Sequence, residues 1–321
     1  MRIKIRGLLF AALFSLIIVS LIWQFAEVPI SLFAERGVAV LSGKPFNQIR
    51  VLDHAGIPQQ LYRDGKRHYN PLFIAVEASD AYHSGDTSTF LKLSDWLLEH
   101  IEETDSTAFV SYSFDYPVYQ QKAPWHSALT QAVVMVCLAQ RAEQEQDPRL
   151  PELSAKLLNT LKPASAKLSY EIAPGALWFM EYPAPQPYYS LSGMISTLIK
   201  LIEYHELTGD DSALELFDRG LQGLWMKLPE FDYHGYSYYN LAGLKAGRMY
   251  HQRHIQRLAE LHKYSGDPMV LHYRERWQKA DRLPVLWQFI FNPRPKRILA
   301  FSLTWLGFWM LISLILRRLY R

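Results

Sequence analysis

The sequence has few of the residue patterns that mark common enzyme classes. Its 321 residues include one cysteine, Cys137, so the fold cannot depend on an internal disulfide. It contains no Cys/His spacing typical of zinc sites, no glycine-rich phosphate loop and no Gly-x-Ser-x-Gly nucleophile elbow. We therefore expect no metal and no organic cofactor.

The chain also lacks a broad positive surface. Its 34 basic and 31 acidic residues give a formal charge of +3, but nine of the basic residues lie in the acid-free segments 1–26 and 294–321. The part between them has 25 basic and 31 acidic residues, a net charge of −6. Such a body is not typical of a nucleic-acid-binding protein, and we expect no nucleic-acid partner.

Charged residues are missing from two runs of membrane length, 7–26 and 298–316. Twenty helical residues span about 30 Å, the thickness of the hydrocarbon core. The basic lead before the first run favours a cytoplasmic N-terminus, although a cleaved signal peptide is an alternative to this anchor. If both runs span, both termini are cytoplasmic and the main domain lies outside a bacterial cytoplasmic membrane. We expect 27–68 to be an irregular lead-in and 281–297 a linker.

Four turn signals recur about every 60 residues in the remaining body, and each stands between stretches of helical periodicity. They are Ser84-Gly85-Asp86, Gln146-Asp147-Pro148, Thr208-Gly209-Asp210 and Ser265-Gly266-Asp267. Glycine ends one helix and aspartate caps the next. The pattern predicts an all-α fold of about four antiparallel helical hairpins, stacked into an α/α toroid or incomplete barrel, with a transmembrane helix at each end of the chain.

The segments between these hairpins are rich in tyrosine, and they contain the residues best suited to chemistry. Glu181-Tyr182 lies in one of them, and Tyr239 lies in another. Tyr250 and His251 both share a helix face with His254. The same spacing also occurs in structural capping clusters, so it does not by itself decide the function.

Taken in order, short motifs over residues 69–280 resemble the C-terminal domain of D-glucuronyl C5-epimerases, which convert glucuronate to iduronate in heparan-type chains. The motifs are Tyr69-Asn70-Pro71-Leu72, Trp125-His126-Ser127-Ala128 with Gln131, Glu181-Tyr182-Pro183, Leu191-Ser192-Gly193, Arg219-Gly220, Leu228-Pro229 with Asp232, Tyr238-Tyr239-Asn240, Tyr250-His251 with His254-Ile255, and Arg276-Trp277. The resemblance implies a catalytic α/α barrel. The familiar enzymes also carry β-rich domains before it, for which 27–68 is too short.

The resemblance also implies roles for individual residues. Glu181 and Tyr250 are the expected acid/base pair, one on each face of the sugar, assisted by Tyr182 and Tyr239. Further expected substrate-binding residues are Arg219, His251 and His254, which would neutralise the uronate carboxylate, the wall residues Trp125 and His126, and Asn70.

The implied function is a membrane-anchored uronyl C5-epimerase that acts on glucuronate in an extracellular acidic polysaccharide. Its expected partners are that polymer, the membrane, and either a second copy or other polysaccharide-assembly proteins. Two alternatives stay open at this point. A polysaccharide lyase would begin with the same proton abstraction, and a non-catalytic component of an exopolysaccharide export system would use the aromatic cleft only to bind polymer.

Overall fold

The computed structural model describes residues 2–43, 50–62, 64–163, 165, 167–184 and 187–319. Helix accounts for 65% of the chain, so the protein is mainly helical, but nine short strands in the described residues depart from the predicted all-α fold. Contacts divide the chain into two compact units. One contains the residues up to Gly43, Tyr233–Tyr236 and the residues from Arg276 onward, and the larger unit contains the rest.

Eleven α-helices and nine short strands are formed by the described residues. The helices are α1 (Arg2–Leu41), α2 (Pro71–Ser84), α3 (Thr87–Glu99), α4 (Ala128–Gln144), α5 (Arg149–Asn159), α6 (Leu191–Thr208), α7 (Asp211–Lys227), α8 (Arg248–Ser265), α9 (Pro268–Asp281), α10 (Val285–Phe291) and α11 (Pro295–Leu319). The strands are β1 (Arg50–Leu52), β2 (Pro58–Leu61), β3 (Arg67–Tyr69), β4 (Ile101–Glu103), β5 (Ala108–Val110), β6 (Ser169–Ala173), β7 (Ala176–Phe179), β8 (Asp232–Tyr233) and β9 (Tyr236–Ser237). Short 3₁₀ helices lie at Pro117–Tyr119 and Leu228–Phe231.

The predicted turns lie between paired helices, and in most of them glycine ends one helix and aspartate caps the next. Gly85, Gly209 and Gly266 end α2, α6 and α8 with φ angles of 78°, 72° and 60°, which glycine adopts without a steric penalty. Asp86 and Asp210 then cap α3 and α7 by accepting hydrogen bonds from backbone N–H groups. Helices α2 to α9 therefore follow one another as the four predicted pairs.

Packing separates these helices into an inner and an outer layer. Helix α4 packs against both α2 and α6, and α6 also packs against α8. Helices α3, α5 and α7 each pack on the first helix of their own pair, outside this row. Residues 128–141 of α4 are all buried, as expected for a helix covered on all sides. This arrangement agrees with an α/α fold, and closure of the row into a barrel stays a prediction.

Helices α1 and α11 pack as an antiparallel pair in the smaller unit. Trp305 and Trp309 donate their indole N–H groups to the backbone oxygens of Ala12 (3.1 Å) and Leu8 (3.3 Å). By length and composition, each helix could cross a membrane. The antiparallel packing brings the beginning of α1 close to the end of α11.

The expected lead-in and linker differ from the structure. Helix α1 continues through Pro29 to Leu41, because Ile30 still packs on the apolar cluster of this unit and offsets the hydrogen bond that proline removes. Strands β1 to β3 form an antiparallel sheet within the rest of the lead-in, of which 44–49 and 63 lie outside the described residues. The expected linker contains α10.

Candidate functional site

Three connecting segments meet where the inner helices α4 and α6 begin. The segment before α4 carries Gln121, the segment before α6 carries Glu181, and the segment before α8 carries Tyr239. The hydrogen bonds that join them are Ala128 N–H to Met180 O (2.9 Å), Leu191 N–H to Tyr239 O (3.1 Å) and Gln121 Nε2 to Pro183 O (2.8 Å). The tyrosine-rich connections that carry Glu181 and Tyr239 therefore meet at the same end of α6.

Glu181 lies just after β7 and against the first turn of α6. Its carboxylate accepts hydrogen bonds from the Ser190 hydroxyl and from Tyr182. A Cβ atom on Gly193 would stand 2.6 Å from the Glu181 Cβ and 2.8 Å from its Oε2, so glycine is needed for this close approach. Burial raises the pKa of Glu181, while the two hydrogen bonds and the charge of Arg253 oppose the rise. A carboxyl group with a raised pKa is suited to take and return a proton near neutral pH.

Four tyrosines surround this carboxylate. Tyr119 stacks on Tyr182 with ring centroids 3.8 Å apart, and Tyr239 meets Tyr250 edge-on at 4.8 Å. Burial and then the charge of Glu181 raise the pKa of each of the four tyrosines, so all four phenol groups lie close to this carboxylate. They are therefore neutral hydrogen-bond donors at physiological pH.

Arg253 places a positive charge beside this group, and the sequence analysis did not single it out. Its guanidinium carbon lies 5.4 Å from the centre of the Tyr250 ring. Burial and then the charge of Glu181 raise the pKa of Tyr250, and Arg253 acts in the opposite direction. The side chain is exposed, and no carboxylate of the described chain forms an ion pair with it. Its spacing of three residues from Tyr250 on α8 is the pattern that could have identified it.

His251 and His254 belong to a buried hydrogen-bond network. His254 contacts the Ser192 hydroxyl through Nε2 (2.9 Å) and the Ser237 hydroxyl through Nδ1 (2.8 Å). Nδ1 of His251 accepts the Ser237 N–H (3.1 Å). Burial lowers the pKa of His254 to about 3. A neutral, fully buried imidazole does not match the expected role in carboxylate neutralisation. Instead, His254 ties α8 to the first turn of α6.

The two expected wall residues have protein partners in the structure. Trp125 is only 7% exposed, stacks on Tyr112 with centroids 3.8 Å apart, and donates its indole N–H to Phe114 O (2.9 Å). A tryptophan covered in this way supports the aromatic cluster rather than offering a sugar-stacking face. His126 is half-buried and lies 3.0 Å from the Ser111 hydroxyl, and burial lowers its pKa. A sugar contact by His126 stays a prediction.

Asn70 and Arg219 also have protein partners in the structure. Asn70 caps α2 with its side-chain oxygen and donates one hydrogen bond to the Tyr62 hydroxyl (2.6 Å), and a sugar contact by its second N–H stays a prediction. Arg219 lies on the outer helix α7 and pairs with Glu171 (3.3 Å) and Glu215 (3.8 Å). It borders a separate cavity of about 370 Å³, lined by Lys162, Pro163, Ser212, Glu215, Leu216 and Arg219. None of these residues belongs to the group around Glu181.

Comparison with known families gives one match over more than half of the chain. The family described as D-glucuronyl C5-epimerase C-terminus matches residues 104–279. An uncharacterized protein of Methanocaldococcus jannaschii is 27% identical over 199 residues, which cover 60% of this chain and 65% of that protein. The chain therefore spans just under two thirds of the length of this relative.

Solved structures show likeness in fold alone. Cellobiose 2-epimerase from Bacillus thermoamylovorans superposes with a TM-score of 0.50 at 13% identity, covering 85% of this chain and 75% of that one. An α-mannanase of Bacteroides thetaiotaomicron has a TM-score of 0.45 at 10% identity, covering 84% and 73%. The epimerase is an α/α toroid enzyme, in agreement with the layered helical pairs described above.

Proposed function

The chain belongs to the D-glucuronyl C5-epimerase C-terminus family, and from this premise we propose that it is a membrane-anchored uronyl C5-epimerase. Its substrate is a glucuronate unit of an extracellular acidic polysaccharide. The observation that carries the proposal is Glu181, a carboxyl group with a raised pKa that is held by Ser190 and Tyr182 beside Tyr250.

Inversion at C5 requires one proton acceptor and one proton donor on opposite faces of the sugar. Glu181, when ionised, removes the C5 proton, and the electron pair moves toward the C6 carboxylate. Tyr250, neutral because its pKa is raised, donates its hydroxyl proton to C5 from the other face. Solvent then reprotonates the Tyr250 phenolate and takes the proton from Glu181, so the enzyme returns to its starting state. In the reverse direction Tyr250 is the acceptor and Glu181 the donor.

The intermediate carries additional negative charge on the C6 carboxylate, which must be stabilised for the reaction to proceed. Arg253 is the group we assign to this carboxylate, because it is exposed and its charge acts on both Glu181 and Tyr250. Tyr182 and Tyr239 supply neutral hydroxyls beside the reacting carbon. The hydrogen bond from the Ser190 hydroxyl also holds the Glu181 carboxylate in one orientation.

Hydrogen exchange tests this assignment directly. A glucuronate polymer incubated with the full-length protein in D₂O should gain deuterium at C5 without becoming shorter. Tyr250→Phe and Glu181→Gln should each lower the exchange rate by about 10²–10⁴-fold, since each removes one positioned acid/base group. Tyr264→Phe is a matched control, because it makes the same change at the far end of α8 and should leave exchange unaltered.

The outcome also separates the alternatives. A lyase shortens the polymer and forms an unsaturated sugar that absorbs in the near ultraviolet. A binding component of an export system does neither, and it leaves the original hydrogen at C5. Near-parental exchange in either site variant contradicts the assigned pair, and no exchange with any uronate polymer contradicts the epimerase proposal.

The proposal places α1 and α11 across a bacterial cytoplasmic membrane, with both termini in the cytoplasm and the larger unit outside. The basic ends of the chain and the antiparallel packing of the two apolar helices support this orientation. Reporter fusions after Arg50 and after Arg321 should report opposite compartments. If both report the periplasm, α11 does not span.

A further inference from the structure

Helix α10 exposes apolar side chains and buries a polar one, the opposite of what is expected of a helix in water. The side chains of its outward face are all apolar, and they are exposed by 42% (Leu286), 54% (Trp287), 65% (Ile290) and 42% (Phe291). The polar side chain of Gln288, by contrast, is 1% exposed and faces inward. A short helix whose outward face is entirely apolar requires an apolar neighbour.

Contacts within the smaller unit place α10 beside an ion pair that joins α1 and α11. Arg297 pairs with Glu27 (2.5 Å), and both side chains are almost fully buried. Arg297 also donates to Gln288 Oε1 (2.7 Å), and its guanidinium carbon lies 4.9 Å from the centre of the Phe289 ring. The inward face of α10 thus contacts an ion pair that lies directly after the uncharged run 7–26 and directly before the uncharged run 298–316.

We propose that α10 lies along the external surface of the cytoplasmic membrane. Its side chains Leu286, Trp287, Ile290 and Phe291 insert at the boundary between the lipid headgroups and the acyl chains. This inference rests on the transmembrane part of the proposed function and is independent of the epimerase chemistry. Interfacial helices insert their apolar face about 5–10 Å into this boundary, and tryptophan is enriched there.

The surroundings of the helix favour lipid over other occupants. Phe289 of α10 packs edge-on against Phe301 of α11, with ring centroids 5.1 Å apart, so α10 lies beside the start of the proposed span. In the same part of α11, Leu299 and Leu303 are each 60% exposed. Lys296 is exposed at the start of α11, where its charge can reach the phosphate groups of lipid headgroups.

Site-directed spin labelling tests the depth of α10. Variants of the full chain with one added cysteine, Ile290→Cys, Leu303→Cys and Met226→Cys, are labelled and reconstituted into phosphatidylethanolamine–phosphatidylglycerol vesicles. Native Cys137 does not compete for the label, because it is fully buried and burial raises its pKa to about 12. Collision of each label with oxygen, which concentrates in lipid, is compared with collision with a water-soluble nickel complex.

We expect the ratio of oxygen to nickel collisions to be highest at Leu303, lowest at Met226, and at Ile290 several-fold above the value for Met226. Met226 is the matched control, because it is an exposed apolar residue (52%) on α7 in the larger unit. A lipid-like value at Leu303 with a water-like value at Ile290 overturns the inference and leaves the transmembrane proposal intact. A water-like value at Leu303 overturns both.

Two further measurements test insertion of α10 without a label at Ile290 and distinguish lipid from a second copy of the chain. Brominated lipids should quench the fluorescence of the parent protein more than that of Trp287→Phe, and equal quenching contradicts insertion of α10. If the occupant is a second copy of the chain, the Ile290 label shows spin–spin broadening that disappears on dilution with unlabelled protein, which also overturns the inference.

Discussion

Replacing Gly193 by alanine is the sharpest test of how the fold positions Glu181. The glycine lies in the first turn of α6, and its φ is not positive, so alanine suits the backbone there. The new methyl group would meet Glu181 at 2.6 Å from Cβ, 2.8 Å from Oε2 and 3.2 Å from Cδ. Ordinary contacts of this kind are 3.4–4 Å, so the Glu181 side chain must move by about 1 Å.

The effects on activity and on stability should be very different in size. A displacement of about 1 Å in a catalytic group lowers the rate by about 10²-fold. Overpacking a filled site lowers the free energy of unfolding by about 1–3 kcal/mol, and replacing a helical glycine by alanine returns about 1 kcal/mol. The net loss of stability is therefore about 0–2 kcal/mol, too small to unfold a protein of ordinary stability.

Deuterium exchange at C5 of a glucuronate polymer measures the rate, and urea unfolding in detergent measures stability. Gly220→Ala is the matched control. Its methyl group would meet Leu198 and Phe179 at the same distance of 2.6 Å, but in the apolar core. It should lose similar stability while keeping exchange within a few-fold of the parent. Near-parental exchange in Gly193→Ala, or an equal loss in Gly220→Ala, refutes the argument that this glycine sets the position of Glu181.

Three further predictions concern charge. Because burial lowers the pKa of His254 to about 3, only the unfolded chain takes up a proton near pH 6.5, and this should remove about 2 kcal/mol of stability between pH 7.5 and pH 5. Urea unfolding should show a smaller loss in His254→Gln, and an equal loss contradicts a neutral His254. Since burial raises the pKa of Glu181, Glu181→Gln should unfold at a higher temperature than the parent at pH 7, and the difference should close below about pH 4.3, where folded and unfolded carboxyl groups are both protonated. An unchanged midpoint at pH 7 contradicts the raised pKa. Arg253→Gln should raise KM for the polymer about 10-fold or more and move the acid limb of the rate to higher pH, whereas Arg257→Gln, whose charge is paired with Glu260 at 2.6 Å, should change neither.

Glu181, the proposed proton acceptor, should reduce the stability of the folded state. An ionised carboxylate that is partly removed from water disfavours the folded state, and the hydrogen bonds from Ser190 and Tyr182 offset only part of this effect. The same removal from water makes the group a stronger proton acceptor than a solvated carboxylate. Loss of activity together with a gain in stability in Glu181→Gln is therefore the expected combination.

Features that depend on residues within one turn of each other could be predicted from the sequence. Glycine and aspartate at Gly85-Asp86 and Gly209-Asp210 specify the end of one helix and the start of the next, because these effects act within one turn. The uncharged runs 7–26 and 298–316 likewise showed where apolar helices lie. The order of short motifs named Glu181 and Tyr250 as the acid/base pair, and that role stays a prediction.

Which side chains face one another depends instead on how distant segments of the chain pack together. Arg219 and Arg253 are both arginines on predicted helices, but α7 is an outer helix and α8 packs on the inner helix α6, so only Arg253 acts on Glu181. The continuation of α1 beyond Pro29 likewise depends on packing around Ile30, which outweighs the local preference of proline to end a helix. These outcomes depend on contacts between residues far apart in the chain, where local residue preferences carry no information.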